Sequence, residues 1–315
     1  MTFTQLEYIV AVDSWRHFAT AAAHCFVTQP TLSMQIRKLE EELDLVLFDR
    51  SKQPVVPTET GLVILEQARV ILAARDKLLE AVQEKKGTLS GELRIGIIPT
   101  LAPYLLPLFV PPFTRKYPEV RLVVNEMMTE HIITRLREGR IDAGILVTPL
   151  QESGIEENIL FYEEMMAYVS RRNQAYGKSY VLPQDIDPGK LWLLEEGHCF
   201  RSQIVNLCEL QKISRENAAF EYEAGSIETL RRMVELNDGI TILPELATLD
   251  MPAAQQQLIR HFRKPAPMRE VSLVVHRNLV KKRLTDLLRE EILRTIPEKI
   301  RKNKSRNVVP VELPG

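Results

Sequence analysis

Three cysteines, two tryptophans and 6% aromatic residues are all that the 315 positions hold of these types. No apolar run approaches the ~18 residues that a bilayer-crossing helix needs. Cys25, Cys199 and Cys208 form an odd and sparse set, which argues against a structural disulfide framework. With no CxxC pair and no His/Cys cluster at zinc spacing, neither a metal nor a cofactor is expected. The opening stretch MTFTQLEYIV has no charged region ahead of its apolar residues and does not read as a signal peptide. These absences together point to a cytoplasmic chain with no membrane partner. Charge of one sign is also lacking: 41 Lys and Arg stand against 42 Asp and Glu, for a net charge of -1. Acidic residues slightly outnumber basic ones even within positions 1–87. A polyanion would therefore have to be met by locally concentrated positive charge.

What remains is ordinary for a globular protein, 45% hydrophobic and 26% charged. The length gives room for two or three domains with a buried core. Three short helices are expected over 1–60. Leu6, Ile9 and Val10 set a helical period in the first. Phe18-Ala-Thr-Ala-Ala-Ala23 makes a small-residue second helix, and Val27-Thr-Gln-Pro30 breaks it. The third starts at Pro30 or Thr31, where the missing proline N–H is no loss, with Leu32, Ile36, Leu39 and Leu43 on one face. A short hairpin fits Lys52–Pro57. Thr58 or Thr60 then caps a long helix, 61–87 in the domain plan, that ends near Lys86. In it Ile64, Ile71 and Leu78 recur every seven residues, as do Leu65, Leu72 and Leu79, which suggests pairing with a partner helix. Packing onto its own domain is the alternative.

Gly87–Gly91 is a candidate hinge. Beyond it the pattern becomes strand–helix alternation, with strands expected at 92–98, 120–126, 141–147, 165–170, 191–195, 239–243 and 271–276. Helices are expected at 101–116, 200–210 and 227–236. This implies an α/β domain with parallel sheets over 88–298, long enough to divide into two lobes with a ligand cleft between them. The basic, aperiodic residues 299–315 read as a flexible tail.

Two segments carry chemistry. Phe18–Leu43 has the spacing of a helix-turn-helix, and its second helix presents Thr28, Gln29, Pro30, Thr31, Ser33, Gln35 and Arg37. Short hydrogen-bonding groups and an arginine suit base edges and phosphates, and the helix N-terminus adds backbone N–H donors. Arg50 and Lys52, beside the hairpin, would add backbone contacts. A plain helical hairpin with a solvated polar face stays open as the other reading.

The second segment is Gly197-His198-Cys199-Phe200-Arg201 with Cys208 nine residues on. A thiol at the start of a helix feels its positive end, and His198 and Arg201 are placed to stabilise a thiolate further. Along one helix nine residues span ~13.5 Å, whereas disulfide-bonded Cα atoms lie roughly 4.4–6.8 Å apart. If the two cysteines pair, the helix between them must unwind. Cys208 also fits as a small core residue, since Phe200, Ile204 and Leu207 share its helical face. Cys25, between Ala23 and Phe26, reads as a small buried side chain.

The strings Phe18-Ala-Thr-Ala-Ala, Thr28-Gln-Pro-Thr-Leu-Ser-Met-Gln-Ile-Arg-Lys-Leu-Glu40 and Leu47-Phe-Asp-Arg50 resemble the LysR-type transcriptional regulators. Asp44 departs from the glycine usual in that family after the recognition helix. The resemblance implies an N-terminal winged helix-turn-helix, a dimerising linker helix, and a two-lobed α/β regulatory domain like the periplasmic binding proteins. The cysteine segment is similar to that of the family's hydrogen-peroxide-sensing branch, as are Ile98-Pro-Thr100-Leu-Ala-Pro-Tyr-Leu-Leu-Pro107 and the blocks Ala224–Arg231 and Gly239–Pro244. Ser202 departs from that branch's acidic residue.

Carried over, the resemblance implies Cys199 as peroxidatic thiol and Cys208 as resolving thiol. His198, Thr100 and Thr129 would orient peroxide, and Arg269 would stabilise the leaving hydroxide. It further implies double-stranded promoter DNA as partner, hydrogen peroxide as signal, a homotetramer built as a dimer of dimers, RNA polymerase as a further partner, and resetting by a thiol reductant such as a glutaredoxin. The chain would then be a regulator, not an enzyme. Two rivals stand beside this: a regulator answering to a small organic inducer in the lobe cleft, and a thiol peroxidase, for which the N-terminal reading head would be useless.

Overall fold

The computed structural model describes residues 1–85, 89–208, 224–277, 281–304 and 307–311. The chain opens with α1 (Phe3–Trp15), where Thr2 and Gln5 form a reciprocal capping box. It is followed by α2 (Phe18–His24) and α3 (Gln29–Leu43). The third helix starts at Gln29, slightly earlier than expected, because the Thr28 hydroxyl accepts the Thr31 N–H at 3.4 Å and so fixes the cap. Leu32, Ile36 and Leu39 turn inward onto Ile9, Val12 and Ala21. Asp44 ends α3 in the left-handed region, at φ 53° and ψ 42°. The expected hairpin forms as β1 (Phe48–Asp49) paired antiparallel with β2 (Val56–Pro57).

Then comes α4 (Glu59–Lys85). Thr58 is its cap, accepting the Gly61 N–H at 2.9 Å while donating to the Val46 carbonyl at 2.7 Å. Leu65 and Ala68 are buried against the reading head, whereas Leu62, Val63, Leu78 and Leu79 stand exposed. Lys86 and positions 87 and 88 of the candidate hinge lie outside the described residues.

The regulatory part runs β3 (Gly91–Ile97), α5 (Ala102–Lys116), β4 (Val120–Glu126), α6 (Thr129–Arg137), β5 (Ala143–Thr148), β6 (Ile155–Val169) and β7 (Tyr180–Val181). It continues with α7 (Cys199–Leu207), α8 (Ile227–Leu236), β8 (Ile240–Pro244), α9 (Ala253–Gln256), β9 (Ile259–Phe262), β10 (Met268–His276), α10 (Lys282–Thr295) and α11 (Glu298–Arg301). The strands lie in the order β4-β3-β5-β10-β6-β9-β7, with β8 also pairing with β6.

Parallel sheets were expected, and the sheet is mixed. β3 runs parallel to β4 and β5, but β10 is antiparallel to both β5 and β6. The reason is that β10 returns from the second lobe into the first, so its direction opposes the strands it joins. β6 serves both lobes. Its first half pairs with β10, and its second half with β8 and β9. Separate cores sit on either side, one around Ile95, Phe109, Phe113 and Leu288, the other around Tyr168, Val181, Phe200 and Ile204.

Two further expectations are corrected. β6 begins at Ile155 rather than Met165, and Leu191–Glu195 forms no strand, only single bridges from Leu191 to Ile240 and from Leu194 to Ala224. The basic tail, expected to be flexible from 299, is docked over its described residues. Ile300 is buried in the first core, Lys299 pairs with Glu245 at 2.7 Å, and Val308 bridges Met268.

Reading head and regulatory part touch directly. The Ser14 hydroxyl donates to the Glu138 carbonyl at 3.0 Å, the Arg140 guanidinium lies 4.0 Å over the Trp15 ring, and Arg277 pairs with Glu66 at 2.6 Å.

Candidate functional site

The two-cysteine segment folds as expected around one helix. Cys199 is the first residue of α7, and Cys208 caps its C-terminal end, its N–H donating to the Ile204 carbonyl at 3.0 Å. Nine residues of helical rise therefore hold the two Cα atoms ~13.5 Å apart along the axis. Both are free thiols. Residues 209 and 210, the expected end of this helix, lie outside the described residues.

Cys199 is buried, and its thiol donates to the Thr129 hydroxyl at 3.1 Å. Thr129 is the first residue of α6, so the N-termini of two helices from different lobes meet at this sulfur. Both positive ends favour an anion there. α6 can lie so close to the sheet because a Cβ on Gly96 would sit 2.9 Å from Ile132.

A second chain of contacts starts one residue on. The Phe200 ring lies 5.1 Å beneath the Arg269 guanidinium. Arg269, with no exposed surface, donates from Nη1 to the Thr100 hydroxyl at 3.1 Å and from Nη2 to the Thr100 carbonyl at 3.2 Å. Its Nε donates to Glu163 Oε1 at 2.6 Å, and Glu163 Oε2 accepts the Leu246 N–H at 2.9 Å. The fork is thus held by a wholly buried carboxylate. Burial pushes the Glu163 carboxyl up, against the opposing pull of Arg269.

Of the expected site residues, Thr129 meets the Cys199 sulfur directly. Thr100 and Arg269 meet each other, and Arg269 lies over Phe200. His198 precedes α7 and is buried; its Nε2 lies 3.7 Å from Glu195 Oε1, beyond hydrogen-bonding distance, and it makes no bond to the sulfur. Glu163 was not anticipated. It lies on a part of β6 that the hydrophobic pattern did not reveal, 106 positions from its partner.

The expectation of a lowered Cys199 pKa needs correcting. Burial pushes the thiol up, Glu130 adds to this, and the Thr129 hydroxyl opposes it. The two expected cations do not act as supposed. Burial pushes His198 down, which keeps it neutral, and Arg201 turns away to donate to the Leu194 carbonyl at 2.8 Å. Cys208 is pushed up to about 12 by burial alone. Cys25, expected to be buried, is half-buried at the end of α2, and burial again pushes its thiol up.

On the reading head, Thr28, Gln29, Pro30 and Arg37 are exposed at and along α3, with Thr31 half-buried at its start. Ser33 and Gln35 are half-buried and engaged. The Ser33 hydroxyl accepts from Arg50 at 3.4 Å, and the Gln35 carbonyl accepts from Gln5 at 3.4 Å. Arg50 pairs with Glu40 at 2.7 Å and lies 5.1 Å over the Phe18 ring, so it braces the wing against α3. Met34, 49% exposed on the same helix, was passed over because an apolar residue reads as core in a sequence pattern. Among the described residues no group of His, Cys, Asp and Glu is placed to hold a metal, and no helix is long and apolar enough to cross a membrane.

Comparison with known proteins bears on both halves. Residues 3–62 match the family model of the bacterial regulatory helix-turn-helix protein of the lysR family, and residues 86–296 that of the LysR substrate binding domain. The chain is 38% identical over 274 residues to the hydrogen peroxide-inducible genes activator of Dickeya chrysanthemi, covering 87% of this chain and 89% of that one. It is 36% identical, over the same shares, to the DNA-binding transcriptional dual regulator OxyR of Escherichia coli K12. Among solved structures, full-length OxyR from Pseudomonas aeruginosa superposes with a TM-score of 0.79 at 31% identity, over 97% of this chain and 98% of that one. With an N-terminal reading head and a two-lobed regulatory domain matched in sequence and in fold, the chain belongs to the LysR family of bacterial helix-turn-helix regulators.

Proposed function

We propose that the chain is a peroxide-responsive transcription activator in which Cys199 and Cys208 exchange between dithiol and disulfide. The observation that carries this reading is the Cys199 thiol at the meeting point of two helix N-termini, bonded to Thr129, with Cys208 at the far end of the same helix. The relatives named for peroxide-inducible genes support it.

The chemistry balances in two steps. The Cys199 thiolate attacks one oxygen of hydrogen peroxide, the O–O bond breaks, and the departing hydroxide takes a proton to become water, leaving a sulfenic acid. Cys208, deprotonated as the helix opens to water, then attacks that sulfur. The S–O bond breaks and a second water leaves. Two thiols and one peroxide thus become a disulfide and two waters. Thr129 orients the peroxide, while Thr100 and Arg269 form a polar wall beside Phe200 toward which the leaving hydroxide is drawn; His198 supplies a neutral imidazole. A thiol reductant such as a glutaredoxin reverses the exchange.

Thr28, Gln29, Pro30, Thr31 and Arg37 face promoter DNA, with Ser33, Gln35 and Arg50 setting the angle of α3. The working form is a homotetramer in the cytoplasm, a dimer of dimers joined through α4 and the regulatory domains, which recruits RNA polymerase when oxidised.

Peptide mass spectrometry after one equivalent of peroxide tests the reading. The expected result is a Cys199–Cys208 crosslink with Cys25 free. A chain that responds to peroxide with neither cysteine modified, or with Cys25 linked instead, overturns it.

A further inference from the structure

The C-terminal residues leave the first lobe, cross to the second, and meet α7 at Val309. Ile300 of α11 is buried in the first core. Asn303 Nδ2 then donates to the Tyr162 carbonyl at 3.0 Å and to Glu245 at 3.1 Å. Farther along, Val308 bridges Met268, and the Val309 N–H donates to the Met268 carbonyl at 2.9 Å. Val309 is buried in the second core. Its carbonyl accepts a 2.7 Å hydrogen bond from Gln203 Nε2, and Gln203 sits in the middle of α7 with no exposed surface.

One short strap therefore touches both halves of the site. It pairs with Met268, the residue before Arg269, and it bonds the helix that separates the two cysteines. The Gln203 amide reaches Val309 from a helical residue 203. A disulfide between Cys199 and Cys208 requires that helix to come apart, because its ends stand ~13.5 Å apart and disulfide-bonded Cα atoms lie within roughly 6.8 Å. The bond to the strap is then lost along with the helix. It contributes to the dithiol form and not to the disulfide form, so it biases the equilibrium between them.

We propose that Gln203 and the strap 307–311 are positioning elements that hold α7 in the dithiol state and so set how oxidising the surroundings must be before the disulfide persists. This rests on the Cys199–Cys208 exchange proposed above.

The test is a redox titration of the full chain in mixtures of reduced and oxidised dithiothreitol, with trapped thiols counted by mass. Gln203→Leu keeps the volume of the side chain and deletes its donor. Val309→Asp leaves the sequence of α7 unchanged and places a carboxylate in the second core, which expels the strap. Each is expected to move the equilibrium five- to tenfold toward the disulfide, from the loss of one buried hydrogen bond of about 1 kcal/mol or slightly more. For a two-electron couple tenfold corresponds to ~30 mV. Phe113→Leu, in the core of the other lobe, lowers the melting temperature and leaves the titration where it was, which separates positioning from general loosening. If both α7 and strap variants titrate with the wild type while the wild type forms the disulfide, the strap has no such role. If the wild type forms no Cys199–Cys208 disulfide, both this inference and the redox reading fall. Should Gln203→Leu not fold, Val309→Asp alone decides.

Discussion

At the scale of single residues, the Cys199 thiol is caught between opposing influences. Burial and Glu130 raise its pKa, and the Thr129 hydroxyl lowers it. Since the thiolate is the nucleophile, the rate of reaction with peroxide should climb with pH through the neutral range rather than level off there. Thr129→Val removes one influence that favours the anion, the side-chain hydrogen bond. A hydrogen bond to a charged group is worth about 1.5–3 kcal/mol, or roughly one to two pKa units. The variant should react at least about tenfold more slowly at neutral pH, with its rate profile displaced to higher pH. Stopped-flow measurement across pH 6–10, as ~1-unit steps suffice to resolve such a shift, checks this. An undisplaced profile would remove Thr129 from the site.

The same thiols bear on stability. Their folded-state pKa values are raised above the ordinary thiol value of 9.0, that of Cys208 to about 12. Below 9.0 both states hold the protons and the contribution is complete. As pH rises the unfolded chain releases protons first, so that contribution is lost between 9.0 and about 12. The reduced wild type should therefore lose melting temperature more steeply over this window than the doubly substituted Cys199→Ser, Cys208→Ser chain. Parallel curves would contradict the burial argument. Asp44 offers a test of a different kind. At φ 53° it occupies a conformation in which glycine carries no Cβ penalty. Asp44→Gly should raise stability by about 0.5–1 kcal/mol, as measured by denaturant unfolding with an unchanged slope.

At the scale of elements, the proposed exchange requires α7 to yield. Its backbone hydrogen bonds run from Cys199 to the cap at Cys208, and they cannot survive a bond between its ends. Amide exchange across 200–208 should be slow in the reduced chain, fast after peroxide, and slow again with peroxide in Cys208→Ser, which stops at the sulfenic acid. Protection unaltered in the oxidised wild type would mean that the sulfurs never meet.

Elements also show what a sequence can and cannot disclose. Val120–Glu126 and Ile227–Leu236 were placed with their observed bounds, because each buries one regular face. The first half of β6 escaped notice, since Glu156, Glu157 and Asn158 interrupt the apolar alternation along a segment that pairs with β10. Leu191–Glu195 misled for the opposite reason. Its leucines are buried, but they fill the second core from a loop. Within the site, the placement of Cys199 and Cys208 at the two ends of one helix was legible from their spacing. Glu163 was not, because its role exists only once β6 and β10 lie side by side. The tail likewise looked like a basic solvated segment until Ile300 and Val309 found cores to enter.

At the scale of the whole molecule, α4 leaves a question that its own domain does not answer. Leu65 and Ala68 are buried against the reading head, yet Leu78 is 65% exposed, Val63 60% and Leu62 55%. Val63 and Val70 stand seven residues apart, as do Ile71 and Leu78, and all four are exposed, the pattern of a helix built to pack against a second one. A partner copy of α4 would cover it, and the two reading heads would then stand side by side, as recognition of two successive half-sites requires. Leu78→Glu with Leu79→Glu places two like charges in that seam without touching α3 or the cysteines. The expected outcome in sedimentation velocity is a shift from an assembly to a smaller species. Binding to an operator with two half-sites should fall by at least the factor that linkage of the sites provides, about 10²-fold or more. On the proposed exchange, peroxide should still join Cys199 to Cys208 in that variant, because α7 packs in the second core and α4 belongs to neither lobe. If instead the variant sediments as the wild type does, the exposed leucines of α4 form no seam between copies of this chain.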